Sequence, residues 1–168
     1  MTELSYPIEL GEKEIMQVLP HRGDILFVRS LTVQAHDRFE GHAVWPGDLP
    51  VLQGHFPGMP VVPGVFLIEA VAQVAGAGML VGDDYARSMG SGYVGVLAGV
   101  RKCSFRRPVL ADEPVVIRAT SRQVSSTGAT VTGTVTVRGD EVATIEIFVV
   151  NVPRASLGMQ ADQLQPAA

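Results

Sequence analysis

The longest apolar run of the chain, over residues 61–81, limits what this sequence can fold into. Between residues 64 and 80 apolar side chains fall on nearly every face of a helix, which is typical of a helix buried on most sides. Because Glu69 and Gln73 interrupt the run, we predict a core helix and not a membrane span. Small residues would let a sheet approach it closely: Ala70, Ala72, Ala75, Gly76, Ala77 and Gly78.

The flanking sequence favours β-strands, since it is rich in Val, Thr and Ile. Strands are predicted over 25–33, 39–44, 92–105, 113–124, 129–137 and 141–152, with hairpin turns at 125–128 and 138–140. A short amphipathic helix is predicted over 8–19, ended by Pro20. The proline-rich stretch 45–63 is predicted to be a rigid, non-regular loop.

These elements predict an α+β fold in which an antiparallel sheet of about six strands surrounds one long central helix. We expect a single domain over residues 1–153 and a disordered tail over 154–168. An edge strand would stay unpaired, and a dimer could cover it by continuing the sheet.

Composition narrows the classes of function. Apolar residues make up 46% of the chain and charged residues 18%, below the roughly 25% of an average soluble domain, which suggests that other subunits cover part of the surface. The net charge of −4 gives no support for nucleic-acid binding. The N-terminus lacks the apolar segment of a signal peptide, so a cytoplasmic location is expected.

The single cysteine, Cys103, excludes an internal disulfide and a cysteine-based metal site. It falls in a predicted strand, and we expect a buried, inert thiol. The four histidines lack the spacing of metal ligands, so no metal site is predicted. His21, His36 and His42 are expected to be structural or exposed.

Two side chains stand out as candidates for acid–base chemistry. His55 lies in a loop stiffened by glycine and proline, and Glu69 lies within the apolar helix. An imidazole is a suitable base near neutral pH. Burial raises the pKa of a carboxyl group, so we expect Glu69 to be protonated and able to donate. The loop between them also offers free backbone N–H groups.

These segments resemble the FabZ-type (3R)-hydroxyacyl-[acyl-carrier-protein] dehydratases over residues 12–152. The specific part is a His-Phe-Pro-Gly element followed by Pro-Gly-Val-x-x-x-Glu-Ala-x-Ala-Gln, and further motifs support it: Leu19-Pro20-His21-Arg22, Leu97-Ala98-Gly99-Val100 and Phe105-Arg106-Arg107-Pro108-Val109. The resemblance implies a hot-dog fold and no cofactor. It also implies a catalytic homodimer, often assembled as a trimer of dimers, that acts on an acyl chain carried by acyl carrier protein.

The resemblance also implies roles for individual residues. His55 would remove the C2 proton of the substrate, and Glu69 of the other protomer would act on the C3 hydroxyl. The N–H of Gly64, at the positive end of the helix, would stabilise the thioester oxyanion. In support, Pro63 would fix the approach to the helix, Gly58 would allow a tight turn, and Gln73 would either orient Glu69 or serve only in packing.

Four basic residues could dock an acidic carrier protein, although solvated strand charges are the simpler interpretation. They are Arg101, Lys102, Arg106 and Arg107. Three departures from the family pattern bear on chain length and partner: Arg29 in place of an aspartate, Val96-Leu97 in place of Tyr-Phe at the acyl tunnel (with Tyr93 near), and an unusual loop over 46–51.

The sequence thus predicts a dehydratase that forms a trans-2-enoyl thioester, in fatty acid biosynthesis or in a polyketide or polyene pathway. The glutamate at position 69 argues against an additional isomerase activity, since relatives that isomerise usually carry aspartate there. Two alternatives stay open at this point: a hot-dog acyl thioesterase, and a catalytically silent subunit of a biosynthetic complex.

Overall fold

A seven-stranded antiparallel sheet and one long helix form the architecture of the chain, in a computed structural model that describes residues 4–158. The strands lie in the order β1-β2-β3-β5-β6-β7-β4. Their bounds are β1 Ile8–Gly11, β2 Val28–Ala35, β3 Arg38–Ala43, β4 Tyr93–Phe105, β5 Val115–Gln123, β6 Gly128–Val137 and β7 Asp140–Pro153. The predicted fold class is confirmed, with seven strands in place of about six.

The helices lie mostly between β3 and β4. They are α1 (Glu12–Val18), α2 (Pro50–Gly54), α3 (Gly64–Gly82) and α4 (Asp84–Ser88), and short 3-10 turns occur at Gly23–Ile25, Gly90–Gly92 and Arg154–Leu157. Helix α3 contacts strands β2 to β7. By length and hydropathy alone it would suit a membrane span, but nine of its residues are buried inside this fold, as expected for a core helix.

Small residues bring α3 close to the sheet. The α-carbon of Gly78 faces the ring of Phe39, and the sheet glycines Gly41 and Gly133 face Val74 and Val71 of the helix. A β-carbon at any of these three positions would lie within 2.6 Å of the opposing side chain. The glycines therefore set the distance between helix and sheet.

This close approach predicts opposite outcomes for two helix glycines. At Gly78 an added β-carbon would lie 2.3 Å from the buried Phe39 ring, whereas at Gly76 its nearest neighbour would be Leu19 at 3.7 Å. We expect Gly78→Ala to lower the free energy of unfolding by about 1–3 kcal/mol through overpacking. The matched variant Gly76→Ala should raise it by up to about 1 kcal/mol through helix propensity. Urea denaturation of both measures the difference, and equal stability of the two variants would contradict it.

The N-terminal segment corrects the predicted helix over 8–19. Ile8–Gly11 form strand β1, which pairs with residues 30–33 of β2, and the helix begins only at Glu12. The Glu14 side chain accepts a hydrogen bond from the N–H of Gly11 and so helps to start the helix there. Pairing with β2 outweighed the local helical pattern, since strand formation depends on a distant partner.

Three smaller predictions also need correction. The loop 45–63 contains helix α2, which begins at Pro50, a position where a helix tolerates proline. The strand predicted from residue 25 begins at Val28, because Gly23–Ile25 form a 3-10 turn. The tail predicted as disordered from 154 starts with the 3-10 turn Arg154–Leu157, and residues 159–168 lie outside the described residues.

Strand β4 forms one edge of the sheet and pairs only with β7 among the described strands. It is 13 residues long and mostly exposed. The large apolar side chains exposed along it are Tyr93, Leu97, Val100 and Phe105. Cys103 is also exposed here, so the expectation of a buried thiol is wrong for the single chain. The thiol is exposed because β4 is an edge strand.

Candidate active site

A cavity of about 260 Å³ runs along one side of α3. The helix contributes Glu69, Gln73 and Leu80 to its wall, and the segment 18–21 at the end of α1 contributes His21. Helix α4, the first residues of β4 and parts of β6 and β7 line the rest, so most of the wall is apolar. Residues 69 to 80 advance about 16 Å along the helix axis, so the cavity is elongated along α3.

The carboxyl group of Glu69 is fixed at this wall by two hydrogen bonds. The Nε2 atoms of His21 and Gln73 lie 3.0 Å and 2.9 Å from its Oε1 atom. The bond from His21 is the largest cause of a lowered pKa of Glu69, and with Gln73 it outweighs the opposing effect of burial. The expectation that burial would raise this pKa is therefore wrong, because donors to the charged form dominate.

Gln73 connects this carboxyl group to the segment that leads into β2. Its side chain is 1% exposed. The amide nitrogen donates to Glu69 and to the carbonyl oxygen of Ile25 at 2.7 Å, while the amide oxygen accepts from the N–H of Phe27 at 2.9 Å. Both amide hydrogens are used, so Gln73 has one preferred orientation.

His55 lies in a separate, tightly bonded loop that precedes α3. Its Nδ1 atom lies 2.9 Å from the carbonyl oxygen of Val61. A carbonyl oxygen only accepts, so Nδ1 carries the hydrogen, and in the neutral ring Nε2 has the free lone pair of a base. The N–H of Val61 also bonds the carbonyl oxygen of His55 at 2.8 Å, which holds both ends of the loop together.

Two glycines shape the backbone around His55. Gly58 has a φ of 75°, a conformation that favours glycine in a tight turn. Gly64 is the first residue of α3, after Pro63 at the N-cap, so its N–H has no acceptor within the helix. A β-carbon on Gly64 would lie 2.8 Å from the ring of Phe105, which is a packing reason for glycine at this position.

The single chain does not bring His55 and Glu69 into one cavity. Glu69 lines the cavity along α3, whereas His55 is not among the described residues that line it. Around His55 the surface is apolar and open: Phe56 and Met59 are exposed, and Val65 at the start of α3 is 65% exposed. On the single chain the two candidate residues therefore lie at separate places, which we call the half-sites.

The sequence analysis missed His21, which it expected to be structural or exposed. The side chain lines the cavity and contacts Glu69. Its position after Pro20 in the Leu-Pro-His-Arg motif was a signal, but only the folded chain shows that the loop after α1 reaches Glu69. Tyr93, Val96 and Leu97 also line the cavity, at the place where the tunnel residues depart from the family pattern.

The four basic candidates lie in the second half of β4 and just after it, where Arg107 is half-buried and the other three are exposed. Arg106 contacts Glu141 at 2.6 Å, Arg107 contacts Glu113 at 3.1 Å, and Arg101 lies over the ring of Phe148. Lys102 is opposite Glu146 in the strand register. The departure at Arg29 forms an ion pair with Glu12 on α1, and the loop 46–51 contributes no described residue to the cavity wall.

Within residues 4–158 no group of three or more His, Cys, Asp or Glu side chains is placed to hold a metal ion. The residues described above can supply a base (His55), a carboxyl group (Glu69) and a backbone N–H donor (Gly64). Such a set can move protons on a bound substrate.

Comparisons with known proteins point to one family. The model of the FabA-like domain matches residues 28–146. A 3-hydroxyacyl-[acyl-carrier-protein] dehydratase FabZ of Hydrogenobaculum sp. is 34% identical over 134 residues, covering 77% of this chain and 86% of the relative. One of Syntrophomonas wolfei is 38% identical over 111 residues, covering 66% and 74%.

The solved structures agree on the fold. A chain of the dehydratase heterocomplex ApeI:P of Xenorhabdus doucetiae superimposes with a TM-score of 0.68 at 16% identity, covering 92% of this chain and 96% of that one. At this identity the likeness concerns the fold alone.

Proposed function

The chain belongs to the FabA-like family, as a hydro-lyase of the FabZ type, and from this premise we propose that it dehydrates (3R)-hydroxyacyl chains carried by acyl carrier protein. The family resemblance seen in the sequence motifs is confirmed. The product is a trans-2-enoyl thioester, and fatty acid biosynthesis is the setting that the FabZ relatives support. A polyketide or polyene setting and a cytoplasmic location remain predictions.

In the proposed reaction His55 and Glu69 act on neighbouring carbons. The Nε2 atom of His55 takes the C2 proton, the C2–H electron pair forms the C2–C3 double bond, and the C3 hydroxyl leaves as water with a proton from Glu69. The products are an imidazolium and a carboxylate, so a proton must return from His55 to Glu69 before the next turnover. The lowered pKa of Glu69 favours its carboxylate in the resting site, so the reaction proceeds from the protonated minority, in which the carboxyl group is a strong donor.

We propose that the two residues of one active site come from two protomers. The separation of the half-sites in the single chain and the exposed apolar edge strand β4 support this arrangement. Pairing of two β4 edges would satisfy unpaired backbone groups and cover apolar side chains. We therefore propose a homodimer as the catalytic unit, with a trimer of dimers as a further assembly.

The N–H of Gly64 is proposed as the donor to the thioester oxygen. Charge develops on this oxygen when the C2 proton leaves, and a preorganised donor of this kind typically contributes about 3 kcal/mol to barrier lowering. Pro63 and Gly58 fix the backbone that leads to this donor, and Gln73 orients Glu69. The carrier protein would dock on the basic group Arg101, Lys102, Arg106 and Arg107. Arg106 and Arg107 already form ion pairs with Glu141 and Glu113, so Arg101 and Lys102 are the stronger candidates for contact with an acidic partner.

The observation that carries the proposal is a carboxyl group held by two donors at the wall of an elongated, mostly apolar cavity. The test is mass spectrometry of (3R)-hydroxyacyl carrier protein incubated with the purified chain, over short and long acyl groups. We expect loss of one water from the acyl group, and gain of one water when the enoyl product is supplied. Release of free acid would instead indicate a thioesterase, and no reaction in either direction would indicate a silent subunit.

A further inference from the structure

Both hydrogen bonds to the carboxyl group of Glu69 end on the same oxygen atom. The His21 and Gln73 donors both contact Oε1. No described residue forms a hydrogen bond with the other oxygen, Oε2, although the side chain lines the cavity. One oxygen is therefore held by the protein and the other is left for a ligand.

The geometry points to His21 as a positioning residue: together with Gln73 it holds Oε1 of Glu69 and so reserves Oε2 for the C3 hydroxyl of the substrate. This inference rests on the proposed dehydratase function. His21 is not placed in contact with the reacting atoms, since its contact is with the carboxyl group.

The backbone that carries His21 is held by its neighbour Arg22. Arg22 donates to the carbonyl oxygens of Leu19 at 2.8 Å and His21 at 2.7 Å, which stabilises the loop after α1. The Nδ1 atom of His21 is buried and has no hydrogen-bond partner among the described residues. Glu69 is thus the one polar partner of the ring in this part of the chain, and Nε2 donates to it whether the ring is neutral or charged.

The other charged or titratable groups on the cavity do not replace this contact. Tyr93 at the start of β4 and Arg154 after β7 line the cavity, but neither forms a hydrogen bond or an ion pair with Glu69. On α3 the neighbour is the neutral Gln73. Loss of the His21 donor should therefore raise the pKa of Glu69, and the limb of the pH–rate profile that Glu69 controls should move to higher pH.

The test compares His21→Leu, which removes the donor, with His21→Gln, which keeps an N–H donor at a similar reach. We expect His21→Leu to lower kcat about ten- to a hundredfold with little change in KM, because the carboxyl group loses the donor that orients it and that stabilises the carboxylate formed on proton transfer. The raised pKa acts in the opposite direction by increasing the protonated fraction of Glu69, so the rates are compared at the pH optimum of each variant. His21→Gln should recover most of the rate. The control is His36→Ala, since His36 is 69% exposed and outside the cavity. Thermal denaturation shows whether each variant is folded. If His21→Leu does not fold, the rate and the pH profile of His21→Gln are compared with those of the wild type instead.

Two further measurements separate this inference from its alternatives. In the Glu69→Gln background, removal of His21 should have no additional effect, because it acts through Glu69. Multiplying effects would overturn the positioning role and give His21 a proton transfer of its own. The pKa of Glu69, measured by NMR with carbon-labelled glutamate, should rise in His21→Leu without any substrate. An unchanged pKa would overturn the inference, whether or not the wild type is active. An inactive wild type would count against the proposed function and not against the contact between His21 and Glu69.

Discussion

Dehydration should fall at least about a hundredfold in His55→Ala and in Glu69→Gln, because each variant removes one of the two groups proposed to transfer protons. Glutamine at position 69 keeps an oxygen that can accept from His21 and Gln73, so the fold and the cavity should persist. Alanine at position 55 removes a ring that the loop holds through the carbonyl oxygen of Val61. The measurement is the initial rate of water loss from a hydroxyacyl carrier protein.

Matched controls are available on the surface of the same chain. Glu9→Gln and His42→Ala change exposed residues of the same types on β1 and β3, and both should retain the wild-type rate. Circular dichroism and thermal denaturation would show whether the two site variants remain folded. Undiminished rates in folded His55→Ala or Glu69→Gln would refute the residue assignment while leaving the activity itself in place.

Mixed dimers of these two inactive variants should regain activity. If each site combines His55 of one protomer with Glu69 of its partner, a dimer of one His55→Ala chain and one Glu69→Gln chain has one complete site and one without either group. Random pairing makes half of the dimers mixed, so an equal mixture should reach about a quarter of the wild-type rate. Two affinity tags on co-expressed chains would isolate the mixed dimer, which should reach about half.

A second combination controls for nonspecific effects of mixing. His55→Ala paired with a chain that carries both substitutions contains no complete site and should remain inactive. If purified mixed dimers of the two single variants showed no recovery, both groups of each site would have to come from the same chain. The exposed surfaces around His55 and along β4 would then need another explanation.

The sequence predicted the core helix and the strands after it well because their signals are local. Dense apolar residues over 64–80 require burial whatever surrounds them, and the Val- and Thr-rich strands are separated by glycine-containing turns. Ile8–Gly11 were misassigned because their pairing partner lies some twenty residues away on β2. An amphipathic pattern next to a true helix contains no sign of that partner.

The sequence could indicate which residues belong to the candidate site, but not how their side chains interact. His55 and Glu69 stand in specific motifs, so they could be selected as candidates without coordinates. The ionisation of Glu69 could not be predicted in this way, because its largest cause is a hydrogen bond from His21 in the distant segment after α1. The nearer donor, Gln73, lies one helical turn away and was a candidate from the sequence. The general rule that burial raises a carboxyl pKa failed here since these hydrogen bonds outweigh desolvation.

The exposed edge of β4 also has a consequence for how this protein responds to concentration. If pairing of two edges completes both the sheet and the catalytic groups, the free energy of association contributes to folding and to activity at once. Dilution then removes both together, and the specific activity becomes a function of subunit concentration. In such a dimer the dissociation constant of one interface would determine both the stability of the fold and the rate of the reaction.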